Sequence, residues 1–427
     1  MYSVFMLFGI LLVLIFLGVP IGISIGLATL ANIILVSNMS PMLITQNAFA
    51  GIDSFPLLAI PFFILAGTLM RTGGIARRLL NLGSALIGTI TGGLAMITVV
   101  TCMFFAALSG SALATVSAIG SFMIPDMKEK GYDEGFASAV TAAAGTIGVI
   151  IPPSVPFVIY GVVTGTSVGD LFLAGIIPGI LVGIGLMMVS YIISKKKGYV
   201  GRSEGVHFKE VMKAFYDAKW ALLVPLIVLG GIYSGIFTPT EAAVVASAYA
   251  IFIGFFVYKE LNMTIFYQTL LESMKVNGII IFMVALSTAF ASYLSMQQIP
   301  AKLSAALIAF STNKYLILLL INAILLVVGC FIDNVPATII LSPIFLPIVT
   351  RFGVTPVQFG IVITLNLAIG FLTPPYGQNL FVASAVSGTP IGKVFRNVIP
   401  FLASMLIVLM LITFFPWISM GLVQILR

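Results

Sequence analysis

The chain has 427 residues, of which 60% are hydrophobic and only 8% charged. A soluble domain carries about 25% charged residues, so the composition excludes a soluble enzyme or binding module and requires a polytopic membrane protein. The net charge of +7 sits in short segments between apolar runs and points to no nucleic acid.

Uncharged runs occupy 3–36, 54–70, 79–125, 135–169, 171–194, 220–240, 242–258, 276–301, 315–332, 352–392 and 397–426. A spanning helix needs roughly 20 residues and several runs hold two passes, which predicts an all-α fold of about 11 full spans plus partial ones. The first run lacks a basic N-region and a small-residue cleavage site and reads as a mature helix. Arg71, Arg77 and Arg78 beside Gly73 and Gly74 mark a loop on one membrane face, read as topology anchors with partner docking as the alternative.

The run 79–125 carries a small polar tip, ALSGSALAT at 107–115. The pieces on either side are too short to span comfortably, which predicts a re-entrant hairpin over about 95–125. GVIIPPSVPFVI follows at 148–159. Proline removes a backbone donor and clashes with the preceding turn, so a broken helix is expected over about 137–165. Asp170 in GTSVGDLF reads as a helix cap.

The segment 194–220 holds seven of the 20 Lys and Arg against Glu204, Glu210 and Asp217. It is expected on the cytoplasmic side, as an amphipathic interfacial helix with Phe208, Val211, Met212, Phe215 and Trp220 toward lipid. His207, the only histidine, falls there and reads as a surface residue. Downstream, TPTE at 238–241 reads as a helix start with Thr238 as N-cap, Pro239 first and Glu241 third. A second polar tip, FIDNVPAT at 331–338, predicts a hairpin over about 315–348. GFLTPPYGQNLF at 370–381 predicts a second broken helix over about 356–386. Cys102 and Cys330 lie in apolar runs, form no metal or redox spacing, and read as small buried hydrophobes.

The two Pro-Pro pairs are 222 residues apart, and further landmarks keep that offset: IGVIIPP with IGFLTPP, FMIP with IFLP, IIP with VIP. SALAT at 111–115 matches NVPAT at 334–338 with a slip of one. The chain therefore reads as two halves, 1–193 and 221–427, joined by 194–220. Interrupted apolar segments at matching places in two halves point to a transporter site. Broken backbone at membrane depth survives only where protein, water or ligand satisfies it. Its carbonyls, with Ser and Thr hydroxyls, suit a hard cation such as Na+, and helix N-termini suit an anion.

FFAALSGSALATVSAIG, GVIIPPSVPFVIYG, GIFTPTEAAVVA, DNVPATIILSPIFLP and GFLTPPYGQNLFV together resemble the large membrane subunit of the tripartite ATP-independent periplasmic (TRAP) transporters, over essentially the whole chain, with the sialic acid type as the nearest variant. The resemblance implies an inverted repeat of the ion-transporter elevator kind, Na+-driven uptake, a water-soluble periplasmic binding protein and a small four-helix membrane subunit. The chain begins directly with the large subunit, so the small one is expected as a separate chain.

Asp333 is an acid deep in an apolar stretch and is by default functional; it is expected in a Na+ site or at the substrate, with a structural bond to the facing tip as the alternative. Ser109, Gly110, Ser111 and Thr115 with Gly145, Thr146, Gly148 and Ser154 are expected to frame one Na+. Asp333, Asn334, Thr338, Gly370 and Thr373 are expected to frame a second. The same small residues also serve helix packing. Tyr376, Gln378 and Asn379, with Ser111, Ser154, Asp333 and Asn334, are candidates for a carboxylated or polyhydroxylated substrate, helix capping being the other role. HExxH, GxGD and a P-loop are all missing from the sequence, which argues against a zinc protease, an intramembrane aspartyl protease and an ATPase. A stand-alone Na+-coupled organic-anion symporter and a channel remain the competing readings.

Overall fold

The computed structural model describes residues 2–37, 39–87, 90–199 and 208–426, and every regular element among them is helical. In hydrocarbon each backbone polar group must be satisfied internally, which leaves helices or closed barrels. Among the described residues seven helices are long and apolar enough to cross alone: Phe55–Thr72, Val168–Lys197, Val211–Tyr233, Pro239–Val257, Met263–Met296, Asn334–Arg351 and Ile391–Phe414. The expected crossings divide into these and shorter apolar pieces that work in pairs.

Two of the pairs are helical hairpins. Gly93–Ser109 and Ala112–Glu129 form the first, turned at Gly110 with φ 59°, a left-handed conformation that glycine takes without steric cost. Ser111 caps the returning limb by accepting the Ala114 N–H. Lys314–Gly329 and Asn334–Arg351 form the second, with Asp333 as N-cap. Two of these limbs, Gly93–Ser109 with 17 residues and Lys314–Gly329 with 16, measure about 24–26 Å, less than a full crossing. The broken helices are Glu134–Gly145 resuming at Val155–Thr164, and Pro356–Gly370 resuming at Gln378–Ser387. Both Pro-Pro bonds are cis.

The two broken helices run in opposite directions. The Tyr160 hydroxyl, near the end of the first, donates to the Pro356 carbonyl at the start of the second. Asn379, just past the second break, donates to the Ala142 carbonyl just before the first. The hairpins are opposed as well. The base of the first lies on the linker face, where Gly92 and Asp133 donate to Tyr199 and Lys393 pairs with Asp133. The base of the second lies on the other face, with Thr355 against Met420. The linker face carries Lys128, Lys130, Lys195–Lys197, Lys209, Lys213 and Lys393.

A second layer flanks this body. Ala59–Thr72 packs beside Pro239–Phe252 through Ala242, Ala243, Ala246 and Ala250, all buried. Such small residues let membrane helices approach closely. Ser247 and Thr240 donate across this seam to the carbonyls of Phe62 and Phe55. Met263–Met296 completes the layer, and Tyr293 donates to Asn32 of Ile21–Val36.

Two sequence readings change. Residues 194–197 end the helix Val168–Lys197, and Phe208–Tyr233 is one helix. No glycine or proline lies between 208 and 224, so an expected surface helix runs straight on into a span. Met212, Phe215 and Tyr216 are exposed on it, while Glu204 and His207 fall outside the described residues. Ser167 is the N-cap of Val168–Lys197, its hydroxyl accepting the Asp170 N–H, and Asp170 stands third in the first turn. Cys102 is fully buried, but Cys330 stands at the second tip, where its carbonyl accepts the Tyr376 N–H. Thr238 and Glu241 form the expected capping box.

Candidate functional site

Both tips open on one cavity of about 570 Å³, closed on the far side by Ala59–Thr72 and Met263–Met296. Ser109, Gly110, Ser111, Asp333, Asn334, Tyr376 and Gln378 line it, seven of the residues the sequence singled out. Ser117, Thr68, Arg71 and Glu272 line it too; of these the sequence points to Arg71 alone, as a topology anchor.

At the first tip three oxygens gather. The Ser109 and Thr115 hydroxyl oxygens are 3.2 Å apart, and Thr115 donates to the Ser111 carbonyl at 2.7 Å. The first break presses on this cluster. A Cβ on Gly148 would lie 2.5 Å from the Ser111 carbonyl oxygen and 2.7 Å from the Thr115 hydroxyl, so only glycine allows the approach. Gly110 meets the other side of the break, where its carbonyl accepts the Val155 N–H.

The second tip carries the charge. One Asp333 oxygen accepts the Asn334 N–H at 2.8 Å and the Gln378 side-chain amide at 2.9 Å. The carboxylate thus ties the tip to the restart of the second broken helix. Asn334 is buried; it donates to the Thr364 carbonyl and accepts from Thr338. Gly370 lies directly against the Gly329 backbone, which seats the break on the hairpin turn. Thr373 donates to the Ile369 carbonyl.

Not every expected residue reaches the site. Thr146 turns away, donating to the Ala143 carbonyl and toward the Met405 sulfur, while Gly145 packs on Val116. Ser154 is fully buried outside the cavity; it caps Val155–Thr164 and donates to the Val149 carbonyl. Asn379 is the buried link to Ala142. Near a break a polar side chain is drawn first to freed backbone groups, which is the physical reason these last two leave the cavity wall.

Among the described residues no group of three His, Cys, Asp or Glu side chains gathers. The tips instead offer neutral oxygens and a single carboxylate, a donor set for a hard, singly charged cation rather than for zinc or iron.

The sequence matches the model of the tripartite ATP-independent periplasmic transporter DctM component over residues 8–418. It is 49% identical over 414 residues to the isethionate TRAP transporter permease protein DctMQ of Oleidesulfovibrio alaskensis, covering 97% of this chain and 65% of that protein. It is 42% identical to the C4-dicarboxylate large permease DctM of Pseudomonas aeruginosa, covering 93% of each. The sialic acid large permease SiaM of Vibrio cholerae is likewise 42% identical, over 94% of each. Among solved structures the YdaH transporter of Alcanivorax borkumensis shares the fold, with TM-score 0.64 over 88% of each chain at 16% identity. These relatives are permeases, which removes the intramembrane-enzyme reading, and with seven candidate spans they place the chain in the bacterial inner membrane as a multi-pass protein. The chain belongs to the DctM component family of tripartite ATP-independent periplasmic transporters.

Proposed function

We propose that this chain is the transport subunit of a Na+-coupled uptake system for a small organic anion. The anion is delivered by a periplasmic binding protein, and a small four-helix membrane subunit completes the complex. The observation that carries this reading is the single cavity shared by both tips. In it a hydroxyl-rich tip and a carboxylate tip stand at the free ends of broken helices, where cations and an anion can be held together. One Na+ is assigned to Ser109, Ser111 and Thr115 beside Gly148. A second is assigned to Asp333 and Asn334, with Thr338, Gly370 and Thr373 around them. The anion lies between, against Ser111, Tyr376 and Gln378. If net positive charge enters with the anion, each charge gains about 2.3 kcal/mol per 100 mV of membrane potential, enough for strong accumulation.

The cargo class follows from chemistry common to the relatives' substrates. Isethionate, C4-dicarboxylates and sialic acid are all small anions with further oxygens. Isethionate is the first to test, because the isethionate permease shares more identity with this chain than the dicarboxylate and sialic acid permeases do. N-acetylneuraminate and succinate are the comparison anions. Movement is assigned to the hairpins and broken helices as one body, sliding against the outer layer as an elevator.

The test is uptake into proteoliposomes holding this chain and its small partner, with binding protein loaded with each radiolabelled anion, with and without an inward Na+ gradient. Na+-dependent uptake that requires the binding protein supports the reading. Uptake of free anion without binding protein replaces it with a stand-alone symporter. Uptake unaffected by Na+ removes the coupling ion.

A further inference from the structure

The cavity has a second end. Toward the linker face, whose many lysines favour the cytoplasmic side, it reaches Arg71, at the close of Ala59–Thr72, and Glu272, on Met263–Met296. Among the described residues Arg71 is the one basic residue lining the cavity, and Glu272 and Asp333 are the two acids. A single guanidinium nitrogen of Arg71, Nη2, bridges both Glu272 carboxylate oxygens at 3.0 and 2.8 Å. Arginine carries five N–H donors, and among the described residues Nε and Nη1 of Arg71 donate to no acceptor. The paired side chains stay 40% and 57% exposed. At such exposure an ion pair contributes little, too little to commit the cation to Glu272. Both residues stand on the outer layer, opposite the tips.

We propose that Arg71 is an exit-side anion contact. Its unused Nε–H and Nη1–H groups point to different sides of the guanidinium plane, and each offers a charged donor to a carboxylate or sulfonate oxygen. An organic anion leaving Ser111 and Gln378 toward the cytoplasm passes this group, the only fixed cation among the described residues of the wall. Glu272 competes for the same guanidinium and limits how long the anion stays. Because Arg71 belongs to the layer that does not carry the tips, it acts on the cargo only while the cavity faces the cytoplasm. It therefore sets the affinity of that one state. This rests on the organic-anion reading above.

The test is equilibrium binding of isethionate, succinate and N-acetylneuraminate, each in NaCl, to the full chain with its small partner in nanodiscs. Arg71→Gln is expected to weaken the best-binding anion by about tenfold or more, the value of a charged hydrogen bond. Glu272→Gln is expected to tighten it by several-fold, because it frees the guanidinium, and Arg71→Lys to recover part of the loss. Opposite signs for the two neutral variants are the signature. A bridge that only holds the two helices together lowers the melting temperature equally in both variants and moves affinity in neither, and that result overturns the proposal while leaving the cargo reading intact. A folded wild type that binds none of the three anions overturns both.

Discussion

Ser111 and Asp333 are 222 residues apart, the offset that separates the two Pro-Pro pairs, and each is the N-cap of its returning limb. One is a hydroxyl and the other a carboxylate, so the two tips differ by a full charge. Replacing Asp333 with Asn keeps the shape and removes the charge. The expected result is Na+-driven uptake reduced more than tenfold, with the Na+ needed for half-maximal rate raised, as loss of a charge in a site of low dielectric requires. Uptake with an unchanged Na+ dependence would assign the carboxylate to structure alone. Gly110 makes a second prediction. Its φ is 59°, and a Cβ there would lie 2.7 Å from the Pro153 carbonyl oxygen. Gly110→Ala should cost about 1–2 kcal/mol from conformation alone, more with the clash, and be read as a lowered melting temperature together with lost uptake.

At the scale of elements, what was legible was what is local. The hairpin expected near 95–125 lies at Gly93–Glu129, and the break expected at Pro374 lies between Gly370 and Gln378, because prolines and small polar tips act within a turn of where they stand. Side-chain direction was not legible. Ser154 and Asn379 follow the breaks as Gln378 does, yet only Gln378 faces the cavity. A buried polar ladder also went unseen. Asn366 donates to Asn322, Asn322 to Thr413, and Gln358 to the carbonyls of Ile412 and Thr413. These residues stand far apart in the chain, and an isolated amide in an apolar run looks alike whether it lines a path or joins two helices. The ladder ties the second hairpin and second broken helix to Ile391–Phe414. Interhelical hydrogen bonds of this kind are worth about 0.6–2 kcal/mol. Asn366→Leu should therefore lower the melting temperature by a few degrees without changing Na+ affinity; a change in Na+ affinity would make the ladder part of the site.

For the whole molecule, the resemblance gave the plan, and the opposed hairpins and antiparallel broken helices give it a physical form. The two layers meet across the cavity, where Met283 of the outer layer and Val335 of the second hairpin both line the wall. Cysteines at these two positions, in a background lacking Cys102 and Cys330, test whether the layers slide. A short thiol crosslink should stop uptake, and reduction should restore it; uptake that persists through the crosslink would end the elevator reading.

Met263–Met296 has 34 residues, a rod of about 51 Å, against a hydrocarbon core of about 30 Å. So long a rod must lean or protrude, and lipids set the balance through hydrophobic mismatch. It also bears Glu272, Ile279 and Met283 on the cavity wall, so its lean alters the width of the passage. Acyl-chain length then becomes a control on turnover. Uptake measured in phosphatidylcholine bilayers of increasing chain length should pass through a maximum, and a flat profile would mean that the excess length protrudes rather than leans.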